Sequence, residues 1–335
     1  MADSRPFEEV VALLKKILRK HGYSEAVSSI LAANCAAAQR DGSTSHGVFR
    51  IPNYISTIQS GYVSGTVEPR VEDVAPGFIR ADSGNGFAQV ALAKARSLLE
   101  QKAKANGIAI LAIRNSHHLG ALYLDIEDFA EKGFIALAFV NSMAVVAPPE
   151  AHSPVYGTNP MAFAAPREGA APLVFDQASS SMAHGDLQVA RREGRRLPSG
   201  CAIDSKGIET TDPAQALEGG ALLTFGGHKG ASIALMVELL CAALAGADFS
   251  YEVDWSTTPG AKSARTGQTI ILIDPNTGGA GLAPFPMRVN DLVSALRAAG
   301  QRRIPGDRRL ARRSPQGDGT VSISREEWES LVDMT

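Results

Sequence analysis

Apolar residues recur every three or four positions near the start of the chain, at Val10, Leu14 and Ile17. This spacing places them on one face of a helix, so an α-helix is predicted over residues 7–20. Ser24 follows as a candidate N-cap, because its hydroxyl can accept a hydrogen bond from the first turn of the next helix. The chain is therefore predicted to open with two consecutive helices.

Two later stretches, residues 108–113 and 135–141, are apolar at almost every position. Strands with this composition are usually buried on both faces, at the centre of a sheet. Helices and strands that alternate with short turns predict a mixed α/β protein built on a sheet. Further helices are predicted over residues 52–58, 89–105, 122–132 and 231–245, and shorter strands over 161–165, 173–176 and 269–273.

Length, charge, cysteine spacing and apolar runs limit the classes of protein to which this chain can belong. The 335 residues are enough for two domains or more. With 33 basic and 35 acidic residues, the net charge of −2 does not favour binding to nucleic acid or to a membrane surface. The three cysteines lie far apart, no apolar signal sequence opens the chain, and the longest apolar run, 233–246, is interrupted by Glu238. We expect a soluble cytoplasmic protein without nucleic-acid or membrane partners.

The first candidate for chemistry is the run SHGVFR at residues 45–50. If this run is helical, His46 and Arg50 are four residues apart and share one face. An imidazole exchanges protons near neutral pH, and a guanidinium can grip both oxygens of a carboxylate. Together they suggest chemistry on a small organic acid. The alternative is an ordinary helix start with a solvated histidine and arginine.

Two glycine-containing stretches are candidate anion sites. The run GGHKG at 226–230 opens a predicted helix, where free N–H groups and the helix dipole favour phosphate, but taken alone the run is more typical of a tight glycine turn. Residues 118–122 follow the carboxyl end of a strand, where ligands of open sheets gather. A GxGxxG fingerprint is absent, so a Rossmann nucleotide site is not predicted. His117 and His118 lack further ligands at metal-binding spacing, and no metal is expected.

A third stretch, His184-Gly185-Asp186, offers a carboxylate that can orient an imidazole. The chain has no GxSxG elbow, which argues against a nucleophilic serine. A proton-transfer role for Ser45, His46 and Asp186 stays open on these grounds.

Several stretches together carry a family resemblance: SHGVFRIPNY, NSHHLGALY, YGTNPMAFAAP, FDQASSSMAHGD and FGGHKGASIALMVELL. In this order they resemble the malate/L-lactate dehydrogenase family of NAD(P)H-dependent oxidoreductases, from about residue 7 to residue 310. Within that family, a second set of stretches is most similar to the reductases of cyclic 2-imino acids: NCAAAQRDG, SHGVFR, NSHHLGAL, SMAHGD, LEGGALLTFGGHKG and YEVDWSTTPGAK. Those reductases convert Δ1-piperideine-2-carboxylate and Δ1-pyrroline-2-carboxylate to L-pipecolate and L-proline with NADPH.

The resemblance implies a non-Rossmann α/β fold with a largely antiparallel cofactor-binding sheet. A helical domain would comprise residues 1–62 plus 285–335, from both chain ends. The NADPH-binding sheet domain would comprise residues 63–284, with a smaller subdomain inserted around 120–220. The same resemblance implies a homodimer.

The resemblance also implies roles for individual residues. His46 would be the acid, with Ser45 and Asp186 as its proton relay, and Arg50 would hold the substrate carboxylate. The pocket would be closed by Thr158, His184 and Gly185. NADPH, or more weakly NADH, would lie along His118, Leu119, Gly120, Ala121, Leu122, Asp176, Gln177, Ala178, His228, Lys229, Gln301, Arg302, Arg303, Ile304, Pro305, Gly306 and Asp307. We further infer that Arg302 and Arg303 meet the extra ribose phosphate of NADPH.

Two other functions compete with imine reduction. The same contact between an arginine and the substrate carboxylate would serve an NAD(P)-dependent dehydrogenase of an open-chain 2-hydroxy acid such as malate, lactate or ureidoglycolate. A non-catalytic nucleotide-binding protein would have lost the acid or the clamp, yet Ser45, His46, Arg50 and Asp186 are all present. The sequence leaves open the preferred ring size and the choice between NADPH and NADH.

Overall fold

The computed structural model describes residues 2–279, 281–313 and 320–335. Its α-helices are α1 (Phe7–Lys20), α2 (Glu25–Arg40), α3 (Ile51–Gln59), α4 (Ala88–Asn106), α5 (Glu127–Glu131), α6 (His184–Arg192), α7 (Pro213–Leu217), α8 (His228–Glu238), α9 (Phe285–Ala298), α10 (Asp307–Arg313) and α11 (Arg325–Asp333). Its strands are β1 (Ala2–Pro6), β2 (Arg70–Ala75), β3 (Phe78–Phe87), β4 (Ile108–His117), β5 (Ile135–Val140), β6 (Val146–Ala147), β7 (Met161–Arg167), β8 (Ala170–Gln177), β9 (Ala202–Ile203), β10 (Ala221–Leu223), β11 (Arg265–Ile273) and β12 (Thr320–Ser324).

A seven-stranded sheet forms the centre of the fold, in the order β2-β3-β4-β11-β5-β7-β8. Five of its six strand pairings are antiparallel, and only β3 and β4 run parallel. A Rossmann sheet is parallel throughout its nucleotide-binding halves, so this topology is a different one. The expectation of a largely antiparallel, non-Rossmann sheet is confirmed.

Both faces of this sheet are covered, which explains the continuous apolar runs. Along β11, Ile270 and Leu272 join the core beneath α4, whereas Ile271 packs against the opposite layer formed by α8. A bulge in β11 at Gly267 lets the backbone of that second layer come close, because a Cβ there would lie 2.0 Å from the carbonyl oxygen of Cys241.

The two predicted opening helices are confirmed as α1 and α2. Val10, Leu14 and Ile17 are fully buried, in a core built with α3, β12 and α11. The Ser24 hydroxyl accepts a hydrogen bond from the Val27 N–H at 3.3 Å, as expected of an N-cap. β1 pairs antiparallel with β12, so the two ends of the described chain meet in one unit.

A third core lies under a small sheet, β6-β10-β9, together with α6 and α7. Residues 285–298, which the resemblance assigns to the helical domain, form α9 and lie against β7 of the large sheet. The division into domains stays a prediction. In the part of the chain that the structure describes, no helix is both long and apolar enough to cross a bilayer.

Two predicted helices differ from the structure. The helix expected over 122–132 is a 3-10 turn, Leu122–Asp125, followed by the short α5, and the Tyr123 N–H at the start of the turn donates to the side chain of Asp176. The helix expected over 231–245 begins earlier, at His228, and widens into a π-helical turn over Leu239–Leu244.

Candidate active site

A cleft with two lobes is lined by the loop before α3, the loop after β4, the end of β8 and the start of α6. The Asp176 lobe has a volume of about 360 Å³ and is lined by Ala121, Asp176–Ala178, Arg309 and the loop of residues 42–46. The Trp255 lobe has a volume of about 410 Å³ and is lined by His118–Gly120, residues 140–143, Trp255 and Lys262. The two lobes share the following residues: His46, Arg50, Thr158, Pro160 and His184.

The segment that carries His46 and Arg50 is not one helix. It forms two 3-10 turns, Thr44–His46 and Val48–Arg50, separated at Gly47. Gln39 causes the break, because its Oε1 accepts a hydrogen bond from the Val48 N–H at 3.3 Å and would lie 2.2 Å from a Cβ at Gly47. The two side chains nevertheless line the same cleft.

The His46 ring has a defined tautomer. Its Nδ1 lies 2.9 Å from the carbonyl oxygen of Leu119, which can only accept, so Nδ1 carries the proton. Burial lowers the pKa of His46 to about 4, and the Arg50 charge adds to this effect. At neutral pH the ring is therefore uncharged, and Nε2 is free to accept a proton.

The Arg50 guanidinium has no carboxylate in ion-pair contact among the described residues, although Asp186 lies near enough to act on it electrostatically. Its Nε is buried without a hydrogen-bond partner, and no carboxylate of residues 2–279, 281–313 or 320–335 forms an ion pair with it. Helix α6 begins beside it, since a Cβ on Gly185 would lie 3.3 Å from the Arg50 Nη2. The first N–H groups of a helix have no acceptor within that helix, so guanidinium and helix start together favour an anion.

The other predicted substrate and relay residues surround Arg50. Burial lowers the pKa of His184 to about 4, with the Arg50 charge as a second cause, and burial raises the pKa of Asp186. Thr158 lines both lobes, while Ser45 and Asp186 line the Asp176 lobe. Among the described residues, neither Ser45 nor Asp186 is hydrogen-bonded to the His46 ring. The proton relay stays a prediction.

The predicted cofactor loop after β4 divides between the cleft and the interior. Leu119, Gly120 and Ala121 line the cleft together with part of His118, whereas Leu122 is buried. The His118 ring turns into the protein, where its Nε2 lies 2.7 Å from Oδ2 of Asp125. Asp125 also accepts a hydrogen bond from Gln268 at 2.6 Å, so the loop is held by a buried network.

The end of β8 supplies a carboxylate to the Asp176 lobe. Oδ2 of Asp176 accepts a hydrogen bond from the Tyr123 N–H at 3.0 Å, and burial raises the Asp176 pKa. Gln177 and Ala178 continue the wall of the lobe. These residues, and the loop after β4, are the parts of the predicted nucleotide site that lie in the cleft.

The two remaining cofactor segments do not line the cleft. His228 and Lys229 are exposed at the start of α8, where the Lys229 N–H already donates to Gly226 at 3.3 Å. In the segment 301–307, Arg302 and Arg303 are exposed and Ile304 is buried. Gly306 approaches β8, since a Cβ there would lie 3.4 Å from the carbonyl oxygen of Val174. The assignments to these segments stay predictions.

Sequence reasoning missed Arg309, which lines the Asp176 lobe. It lies in the basic run QRRIPGDRR at 301–309, so the run was a signal, but nothing in it distinguishes the residue that faces the cleft. Trp255 and Lys262 of the other lobe were also missed. Within the described ranges, no three or more His, Cys, Asp or Glu side chains group as metal ligands would.

Known proteins resemble this chain along almost its whole length. The sequence profile of the family described as malate/L-lactate dehydrogenase matches residues 6–332. The Δ1-pyrroline-2-carboxylate/Δ1-piperideine-2-carboxylate reductase of Pseudomonas putida is 53% identical over 329 residues, which cover 98% of this chain and 96% of the relative. The crystal structure of Δ1-piperideine-2-carboxylate reductase from Pseudomonas syringae pvar. tomato has a TM-score of 0.96 and 51% identity, covering 99% of this chain and 100% of that chain.

A more distant relative acts on a different class of acid. The (2R)-3-sulfolactate dehydrogenase (NADP(+)) of Chromohalobacter salexigens is 37% identical over 296 residues, which cover 88% of this chain and 86% of the relative.

Proposed function

The chain belongs to the malate/L-lactate dehydrogenase family, and we propose that it reduces cyclic 2-imino acids with NADPH. The substrates would be Δ1-pyrroline-2-carboxylate, reduced to L-proline, and Δ1-piperideine-2-carboxylate, reduced to L-pipecolate. The names of the two reductases that are more than half identical to this chain support this substrate class.

The observation that carries the proposal is the unpaired Arg50 at the junction of the two lobes. A buried guanidinium with a free Nε is costly unless an anion completes it. A 2-imino acid brings one planar carboxylate next to its C=N bond, which a guanidinium can hold in a fixed orientation. The backbone at His184 and Gly185 and the side chain of Thr158 would hold the same group from the other side.

In this proposal His46 supplies the proton for the reduction. A carboxylate bound to Arg50 offsets the guanidinium charge, which is one of the two main causes of the low His46 pKa. The pKa of His46 then rises, and its Nε2 takes up a proton that it can pass to the substrate nitrogen. Ser45 and Asp186 would connect this ring to solvent.

The residues of the cleft fit a nicotinamide cofactor. The backbone of Leu119–Ala121 and the carboxyl group of Asp176 line the space beside His46. Asp176 can accept hydrogen bonds from a ribose, and residues 177–178, 228–229 and 301–307 would hold the rest of the dinucleotide. When bound, NADPH supplies the hydride that adds to the C=N carbon.

Three broader features are also part of the proposal. We expect a homodimer, a helical domain formed by residues 1–62 and 285–335 against a cofactor domain at 63–284, and a cytoplasmic location. The family resemblance supports the first two. Three separated cysteines, none in a disulfide, are consistent with the third. Sedimentation equilibrium tests the dimer directly.

The decisive experiment follows NADPH oxidation by absorbance with four acids in parallel: Δ1-pyrroline-2-carboxylate, Δ1-piperideine-2-carboxylate, pyruvate and oxaloacetate. Fast turnover of the two cyclic imines, with both oxo acids near background, supports the proposal and ranks the ring sizes. The reverse pattern contradicts it and makes the chain a 2-hydroxy-acid dehydrogenase that uses the same clamp.

A further inference from the structure

A second unpaired guanidinium stands in the cleft, at Arg309 of α10. Its Nε is buried without a partner, and its Nη2 donates to the carbonyl oxygen of Val174 at 2.7 Å. No carboxylate of the described residues forms an ion pair with it. The cleft therefore holds two cations, Arg50 and Arg309, without a carboxylate in ion-pair contact among the described residues, although Asp186 and Asp176 lie near enough to act on them electrostatically.

The position of Arg309 is set before any ligand arrives. The centre of its guanidinium lies 4.1 Å from the centre of the Tyr123 ring. Tyr123 is held at its backbone and at the tip of its ring, because its N–H donates to Asp176 at 3.0 Å and its hydroxyl donates to Asp41 at 2.6 Å. A planar cation stacked on a fixed aromatic ring loses little freedom when it binds an anion.

Helix α10 is itself anchored beside the cleft. Arg313 donates from Nε to the Asp41 carboxylate at 2.8 Å and from Nη1 to Glu127 at 2.7 Å. Arg309 and Arg313 lie four residues apart, so the anchor and the cleft-facing side chain are on the same side of the helix. The anchor keeps Arg309 over Tyr123.

The number of anionic groups on the substrate and on the cofactor indicates which of the two Arg309 binds. The proposed substrate carries one carboxylate, and Arg50 accounts for it. The cofactor is the other molecule that must enter the cleft, and the anionic groups of a nicotinamide dinucleotide are its phosphates. We propose that Arg309 binds a phosphate of the cofactor, an inference that rests on the proposed function. It assigns the phosphate contact in the cleft to Arg309, whereas Arg302 and Arg303 lie exposed outside it.

The test is a binding titration of the full chain with NADPH and NADH, followed by cofactor fluorescence in the absence of substrate. Arg309→Gln removes the charge and the stacked guanidinium plane and keeps a polar side chain of similar width. We expect the Kd for NADPH to rise about 10- to 100-fold, as for the loss of a hydrogen-bonded ion contact. Arg308→Gln is the matched control, because Arg308 is the exposed neighbour on the same helix.

The NADH arm identifies the phosphate. An equal loss for NADPH and NADH indicates the pyrophosphate, and a loss for NADPH alone indicates the 2′-phosphate. Arg309→Lys keeps the charge and serves if Arg309→Gln does not fold, with an expected loss of severalfold for NADPH. An unchanged NADPH Kd in a folded Arg309 variant overturns the inference and leaves the proposed reduction intact. Absence of NADPH and NADH binding by the wild-type chain overturns both.

Discussion

The Nδ1 of His46 donates a hydrogen bond to the carbonyl oxygen of Leu119 over 2.9 Å. This contact joins the loop that carries the predicted acid to the predicted cofactor loop after β4. It also fixes the tautomer, so that the proton involved in catalysis must be exchanged at Nε2.

Replacement of His46 tests this assignment. In His46→Asn the amide can still donate to Leu119, whereas the group that exchanges the proton is lost. We expect kcat/KM for the cyclic imines to fall about 10²- to 10⁴-fold at neutral pH, the usual contribution of general acid–base catalysis. The exposed His152 provides the control, and His152→Asn should be as active as the wild type. Activity of His46→Asn near that of the wild type would remove His46 from the reaction.

Substrate binding should be coupled to proton uptake. The pKa of free His46 is about 4, lowered by burial and by the Arg50 charge. A carboxylate on Arg50 raises that pKa, so the complex binds more protons than the free enzyme and binding strengthens as the pH falls. Between the two pKa values the affinity changes by up to about tenfold per pH unit.

Calorimetric titration with pyrrole-2-carboxylate, a planar cyclic carboxylate that cannot be reduced at a C=N bond, measures this coupling from pH 5 to pH 8. We expect Kd to fall with falling pH in the wild type and to stay nearly constant in His46→Asn. A pH-independent Kd in both proteins would contradict the coupling.

How far the sequence predicts this molecule depends on how local each feature is. The spacing of Val10, Leu14 and Ile17 sufficed for α1, because an amphipathic helix is set by its own residues. The apolar run from Ile108 predicted β4 but not its end at His117, since that end is defined by pairing with Arg265 across the sheet.

The candidate site likewise combines residues that are near in sequence with contacts between distant residues. His46 and Arg50 are near in sequence, and their chemistry was suggested by residue type alone. Arg309 lies 186 residues from Tyr123, the ring on which it stacks, and no local pattern encodes that contact. Likewise, the hydrogen bond from the Tyr123 N–H to the side chain of Asp176 joins residues 53 positions apart, and only the folded chain can form it.

Loss of the Arg50 guanidinium should weaken substrate binding more than turnover. In Arg50→Met we expect KM for the imines to rise about 30-fold or more, because the carboxylate loses a charge-assisted partner in a buried site. Arg192→Met is a matched control, since Arg192 also stands over the Phe49 ring, at 6.0 Å against 5.6 Å for Arg50, but does not line the cleft. Steady-state kinetics decide the question, and an unchanged KM in Arg50→Met would place the substrate carboxylate elsewhere.

Gly185 allows the start of α6 to approach Arg50. In Gly185→Ala the new Cβ would lie 3.1 Å from the Ser45 Cβ and 3.3 Å from the Arg50 Nη2, so both neighbours must shift by a few tenths of an ångström. We expect KM to rise by about tenfold with little change in Tm, because alanine itself suits a helix. Gly278→Ala has open space and should leave both quantities unchanged. A Gly185→Ala variant with wild-type KM would show that the approach is not needed.

The anchor between Arg313 and Asp41 should stabilise the fold in a pH-dependent way. Burial alone would raise the Asp41 pKa, but hydrogen bonds from Arg313, Arg40 and Tyr123 outweigh it and lower that pKa. A carboxyl whose pKa is lower in the folded state stabilises the fold above its unfolded value of about 3.9, and this contribution is lost as the pH falls through the folded value.

Arg313→Met leaves a buried carboxylate with fewer donors, so we expect the free energy of unfolding at pH 7 to fall by about 2 to 4 kcal/mol. The difference from the wild type should shrink as the pH falls, because Asp41 becomes protonated in the variant before it does in the wild type. Urea unfolding at pH 7 and pH 3.5 measures both values, with Arg308→Met as the exposed control. A loss of stability that is equal at the two pH values would mean that Arg313 acts by packing, and that the charge on Asp41 contributes little.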